Sequence, residues 1–217
     1  MRRLVIISVV LFVLGCNPNS REPAVVDLVE SPTFNSDSAF GFIEQQLAFG
    51  PRVPTTAGHQ LCGDFISSKL TDYGLQVTEQ KDTVIGFDQS LFPLRNIIGS
   101  INPENPKRIL LCAHWDSRPY TDQAKENRTD SLVGANDNAS GVSILLEIAR
   151  NLGEAKPDVG VDLVFFDMED QGRPVYGEAS DPEDHGYCLG SIYWAENLNG
   201  YNAEYGILLD MVGAKDA

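Results

Sequence analysis

The chain has 217 residues, 16 of them basic and 31 acidic, for a net charge of −15. At this length, with 42% hydrophobic residues, it can bury one sizeable core. The acidic balance and the lack of a Lys/Arg cluster exclude a reader of phosphate backbones, so no nucleic-acid partner is expected and the charge is assigned to solubility.

The first segment, MRRLVIISVVLFVLGC, has two arginines and an apolar run from Leu4 to Leu14. The run is short for a transmembrane helix and reads as a secretory signal peptide over residues 1–15. Its ending, Val13-Leu14-Gly15-Cys16, resembles the lipobox of bacterial lipoproteins. That resemblance implies a lipid on Cys16 and a place in the bacterial cell envelope, membrane-anchored and facing the periplasm or exterior. Residues 16–36 are polar with several prolines and read as a tether, leaving 37–217 as the folded domain. Cys62, Cys112 and Cys188 show no CxxC spacing and are expected to be buried free thiols.

Within the domain, residues 37–49 carry apolar positions at helical spacing, with Asp37 or Ser38 as the expected cap. TAGHQLCGDFISSKLTDYG is a second amphipathic helix, closed by Gly74. LQVTEQKDTVIG alternates as a half-buried strand, and RNIIGSI and RILLCAHWD follow as strands separated by a proline turn. A long polar segment, 117–136, reads as a functional loop. Then come the helix NASGVSILLEIARNL, the strand VDLVFFD, an irregular stretch from Gln171 to Tyr187, the short helix LGSIYWAENL and the strand YGILLDMVG. Helices alternating with near-continuous apolar strands predict an α/β, three-layer sandwich with a mostly parallel central sheet.

In such sheets ligands bind at the carboxyl ends of the strands. Three strands here end in polar clusters: His114 and Asp116; Asp167, Glu169 and Asp170; and Asp210. The loop GANDNASG adds Asp137. No Lys or Arg lies within DLVFFDMEDQG, so the acids at its strand end require a positive charge from elsewhere. Asp167 apart, five carboxylates and one imidazole gathered at one sheet edge repel one another unless a cation neutralises them. An N/O set without thiolates suits Zn²⁺, with Mn²⁺ or Co²⁺ also possible. Adjacent Glu169 and Asp170 suit a division of labour, one handling protons and the other facing the ion. Asp167 is expected to support the loop through backbone hydrogen bonds.

The segments FGPRVPTTAGH, LLCAHWDSRP, GANDNASGVSILLEIAR, VFFDMEDQG, CLGSIYWAENL and YGILLDMVGA, in that order, resemble the zinc-dependent exopeptidases. That superfamily includes secreted aminopeptidases and the animal-type glutaminyl cyclases. The resemblance implies a phosphorylase/hydrolase-like fold in which Asp137 and Asp170 bind zinc and Glu169 is the general base or acid. In the aminopeptidase reading His114 and Asp210 hold a second zinc, with Asp137 bridging and Asp116 orienting His114. In the cyclase reading one zinc is used and Asp210 contacts the reacting group. FGPRVP followed by a histidine, and LLDMVGA, look closest to envelope-anchored bacterial cyclases, which convert N-terminal glutamine to pyroglutamate. The implied partners are peptide or protein N-termini; the oligomeric state is left open. Trp115, Tyr187 or Trp194 would line a side-chain pocket, with core packing favoured for Trp194. Both branches use a further histidine ligand late in the domain. His59 belongs to an early helix and His185 to a loop, so the chain is expected to be incomplete, with weak metal binding and little activity alone. A non-catalytic envelope protein that binds peptides is the rival from another class.

Overall fold

A computed structural model describes residues 31–175 and 186–215. The expected signal peptide, Cys16, most of the tether and His185 lie outside the described residues. The folded unit is Pro32–Ala217.

Helix α1 spans Ser36–Ala48, and Asn35 caps it in place of Asp37 or Ser38. Asn35 has the extended backbone an N-cap needs, and its side chain accepts from Ser38 N at 3.0 Å. Asp37 falls in the first turn, where its charge favours the helix dipole. Ala39, Phe42 and Gln46 form the buried stripe. Helix α2, Ala57–Asp72, is capped by Thr56 and ends before Gly74, whose φ of 81° suits the residue that closes a helix.

Strands β1 (Gln76–Ile85) and β2 (Leu91–Ile101) form a hairpin. The connection is too short for a crossover, so this pair is antiparallel. Strand β3 (Arg108–His114) is followed by a wide turn at Ala135–Ser140, helix α3 (Gly141–Ala155) and strand β4 (Gly160–Phe166). Helix α4 (Leu189–Glu196) and strand β5 (Tyr205–Leu208) complete the order. The sheet runs β1-β2-β4-β3-β5. Parallel pairing holds for β4–β3 and β3–β5, where helical crossovers supply the length; β1–β2 and β2–β4 are antiparallel.

The pleat sorts β4 into two layers. Leu163 and Phe165 face the core formed with Phe42, Ile66, Leu70, Val142, Leu145 and Leu146 of α1, α2 and α3. Val164 and Phe166 face the other way, with Cys112 of β3 and Trp194 of α4. This is the expected α/β sandwich, and it brings the carboxyl ends of β3, β4 and β5 to one edge.

Candidate metal centre

His114 closes β3 with 2% of its surface exposed. Its Nδ1 lies 3.3 Å from Asp116 Oδ1. Asp116 is wholly buried and accepts from Glu169 N, Asp170 N and Gln171 Nε2 at 3.0, 3.1 and 2.8 Å. One carboxylate therefore ties the end of β3 to the loop after β4. Burial raises its pKa, but His114 and these donors outweigh that and hold it below the usual range.

The other face of the imidazole meets two acids. Nε2 lies 2.9 Å from Asp137 Oδ1 and 3.6 Å from Asp210 Oδ1. Both contacts are ion pairs, and Nε2 makes no hydrogen bond. Burial disfavours the imidazolium, yet Asp116, Asp137 and Asp210 together push the His114 pKa well above its ordinary value. Asp210 is correspondingly held low, first by His114. Among the described residues, His114, Asp137 and Asp210 form a group whose ligand atoms all lie within 4.8 Å of one another.

The turn presenting Asp137 is fastened from two sides. Asn138 Nδ2 donates to Leu209 O at 2.7 Å, and its Oδ1 accepts from Gly141 N and Met211 N at 3.1 and 3.3 Å. That couples Asp137 to the strand end carrying Asp210. Arg52, wholly buried, donates through Nη1 to Val133 O, through Nη2 to Gly134 O and through Nε to Trp115 O. Gly134 has a φ of 66° at the entry to the turn, and a side chain there would collide with Asp137 O.

The loop after β4 is held from below. Asp167 accepts from His59 Nε2 at 2.8 Å, Arg95 N at 2.9 Å and Met168 N at 2.9 Å. Burial raises its pKa despite His59. Glu169 is half-buried and accepts from Cys188 Sγ at 3.3 Å; burial pushes its pKa up. Asp170 lies outside the group of three. Its Oδ1 meets Arg118 Nη1 at 3.2 Å, and its Oδ2 is buried without a partner. Burial, then Asp137 and Asp116, raise its pKa to about 7 against the opposing pull of Arg118. A cleft of about 530 Å³ beside these acids is lined by Leu132, Asp137, Asp170, Tyr187 and Met211.

Three expectations change. The positive charge sought for the acids is partly the protein's own, because Arg118 meets Asp170, and Asp167 is met by a hydrogen bond to His59. Both partners are remote in sequence, which is why inspection of one stretch missed them. Trp115 does not line a pocket: it is fully buried, stacked on His59 with centroids 4.2 Å apart. Tyr187 lines the cleft, and Trp194 packs edge-on against Phe166 and Tyr201. Cys62 and Cys112 are buried free thiols, but Cys188, expected to be the same, is only half-buried beside Glu169, and Arg52, Arg118 and Asn138 were not singled out from the sequence. An Arg in a proline-flanked turn, as in FGPRVP, was the available signal for Arg52.

The remaining imbalance fits a cation. Asp170 Oδ2 is a buried acceptor without a partner, and the candidate donors around the cleft are one imidazole nitrogen and carboxylate oxygens.

Comparison with known proteins agrees with this chemistry. The family described as Peptidase family M28 matches residues 96–217. A Zn-dependent exopeptidase of Parabacteroides distasonis superimposes with a TM-score of 0.83 at 48% identity, covering 87% of this chain and 65% of that one. Glutaminyl cyclase of Bacteroides thetaiotaomicron, solved with N-acetylhistamine, gives 0.83 at 46% identity, covering 86% and 65%. Aminopeptidase YwaD of Bacillus subtilis is 28% identical over 75% of this chain, which spans 31% of that protein's length.

Proposed function

From the chain's membership of peptidase family M28, we propose that it belongs to a zinc-dependent glutaminyl-peptide cyclotransferase, converting an N-terminal glutamine to pyroglutamate with release of ammonia. The observation that carries the choice is the contact between His114 and Asp137. Two ligand atoms each about 2.0–2.1 Å from a tetrahedral ion stand about 3.3 Å apart. His114 Nε2 and Asp137 Oδ1 are only 2.9 Å apart. The imidazole thus pairs directly with the Asp137 carboxylate, as it would beside a single-ion site in which His114 is not a ligand, and the one-ion reading is favoured. Overall similarity does not separate the branches, since this chain is 46% identical to a bacterial glutaminyl cyclase and 48% identical to a Zn-dependent exopeptidase.

In this reading Asp137 and Asp170 hold the ion. Bound zinc supplies Lewis-acid polarisation of the substrate's γ-carboxamide. Glu169 takes the proton from the attacking α-amine and returns it to the departing ammonia; its raised pKa suits a group that must both accept and release. Asp210, half-exposed at the edge of the cluster, steadies the amine. Asp116 and the His59–Asp167 pair fix the loops that present these groups. The leader supports lipid attachment at Cys16 and an envelope location; palmitate labelling that survives Cys16→Ser would overturn that assignment.

The group His114, Asp137 and Asp210 favours a second reading, a two-zinc aminopeptidase in which Glu169 is the base for hydrolysis. One assay separates the two. The purified full gene product, supplied with zinc, is given a peptide beginning with glutamine. A pyroglutamyl peptide and ammonia identify the cyclase; free glutamine identifies the aminopeptidase. Neither product from zinc-loaded protein overturns both.

A further inference from the structure

We propose that Arg118 is a positioning residue that sets Asp170 to present a single oxygen, Oδ2, to the metal. This rests on the reading of Asp170 as a ligand.

The guanidinium is nearly buried and its seat is fixed by Asp122, which takes both a bond from Nε at 2.9 Å and one from Nη2 at 2.5 Å. Asp122 is itself buried and accepts from Val175 N at 2.8 Å, so it is an anchored base plate. A forked pair of this kind fixes direction as well as distance. The remaining nitrogen, Nη1, points at the loop after β4. It reaches Asp170 Oδ1 at 3.2 Å, Asp170 O at 3.3 Å and Gly172 O at 3.5 Å. Tyr187 closes the other side, its ring centroid 5.3 Å from the guanidinium carbon.

Every polar atom of Asp170 but one is then accounted for. Its N–H goes to Asp116, and its carbonyl and Oδ1 go to Arg118. Only Oδ2 is left, buried and without a partner. Were Arg118 absent, the carboxyl group would rotate freely between its two oxygens and lose its fixed aim. The same logic governs the hydrogen-bonding partners of metal ligands in general, whose removal typically weakens metal binding about 10–100-fold.

The test uses zinc itself as probe, with the full gene product stripped and titrated against a competing chelator. Asp170→Asn serves as the reference for a lost ligand. Arg118→Met is expected to weaken zinc binding about 10–100-fold, and Arg118→Lys to recover only part of the loss, since an ammonium cannot grip Asp122 as a fork. Cobalt substituted for zinc should show a changed visible spectrum in Arg118→Met, which a merely structural role would not produce. Equal zinc affinity and an unchanged cobalt spectrum in a folded Arg118→Met would overturn the proposal. If Arg118→Met does not fold by circular dichroism, Asp122→Asn carries the test, with weaker binding expected and unchanged binding refuting. Wild-type protein that takes up no zinc would overturn the reading of Asp170 as a ligand, and the proposal with it.

Discussion

Asp170 makes the metal-free protein less stable as the solution becomes more alkaline. Its carboxyl has an ordinary pKa of 3.8 and is pushed to about 7 in the folded chain, first by burial and then by Asp137 and Asp116. A carboxyl raised on folding binds its proton more tightly in the native state. The penalty is therefore absent below pH 3.8, grows between there and about pH 7, and is complete above. At about 1.36 kcal/mol per pH unit the full penalty is about 4 kcal/mol, and relaxation around the carboxylate brings it to about 2–4 kcal/mol. For a domain of this size that is roughly 5–15 °C in melting temperature. Asp170→Asn keeps the shape and removes the charge. In chelator, the variant should melt close to wild type at pH 4 and well above it at pH 8. Excess zinc should reverse the order, since only wild type gains from binding. A difference between the two proteins that stays flat from pH 4 to 8 would refute the placement of Asp170 in a dry, acid-lined pocket.

Three further substitutions probe the site and its supports. Glu169→Gln should keep zinc, because Glu169 is outside the candidate ligand set, while lowering turnover about 10²–10⁴-fold; loss of zinc, read by chelator competition, would make it a ligand. Gly190→Ala would put a methyl group 2.1 Å from Asp167 O and 2.6 Å from Asn96 Oδ1, both already hydrogen-bonded in place. It should cost about 1–3 kcal/mol by thermal melting. Gly41→Ala is its opposite: it lies inside α1 with nothing within 4 Å of the added carbon, and should raise stability by about 0.5–1 kcal/mol.

The elements were legible where one period dominates. The apolar face of α3, with Val142, Leu145, Leu146 and Ala149 all fully buried, is written at helical spacing, and β4, buried along its whole length, ends in the apolar run Leu163–Phe166. The cap of α1 was misplaced by two or three positions because Asn35, Ser36, Asp37 and Ser38 all suit an N-cap, and only the backbone angle at Asn35 selects among them. The antiparallel attachment of β2 to β4 was not legible, since nothing local records which strand lies beside which.

The same distinction divides the site. Candidate ligands stand at strand ends, a local signal, and the topology does bring His114, Asp137 and Asp210 together. What neutralises and aims the acids is non-local: His59 reaches Asp167 across 108 residues and Arg118 reaches Asp170 across 52. Inspection of DLVFFDMEDQG alone therefore assigns all of the missing charge to a metal. The structure divides that demand: Arg118 holds one oxygen of Asp170 and His59 hydrogen-bonds Asp167, while His114 Nε2 and the other oxygen of Asp170 are left without a hydrogen-bond partner. That leaves a much smaller demand on a metal than five carboxylates: Asp170 Oδ2 is a ligand in both the cyclase and the aminopeptidase readings, and only His114 Nε2 is assigned differently. The count of zinc ions per chain follows from which of the two atoms is satisfied: one ion if Asp170 Oδ2 alone is engaged, two if His114 Nε2 is engaged as well.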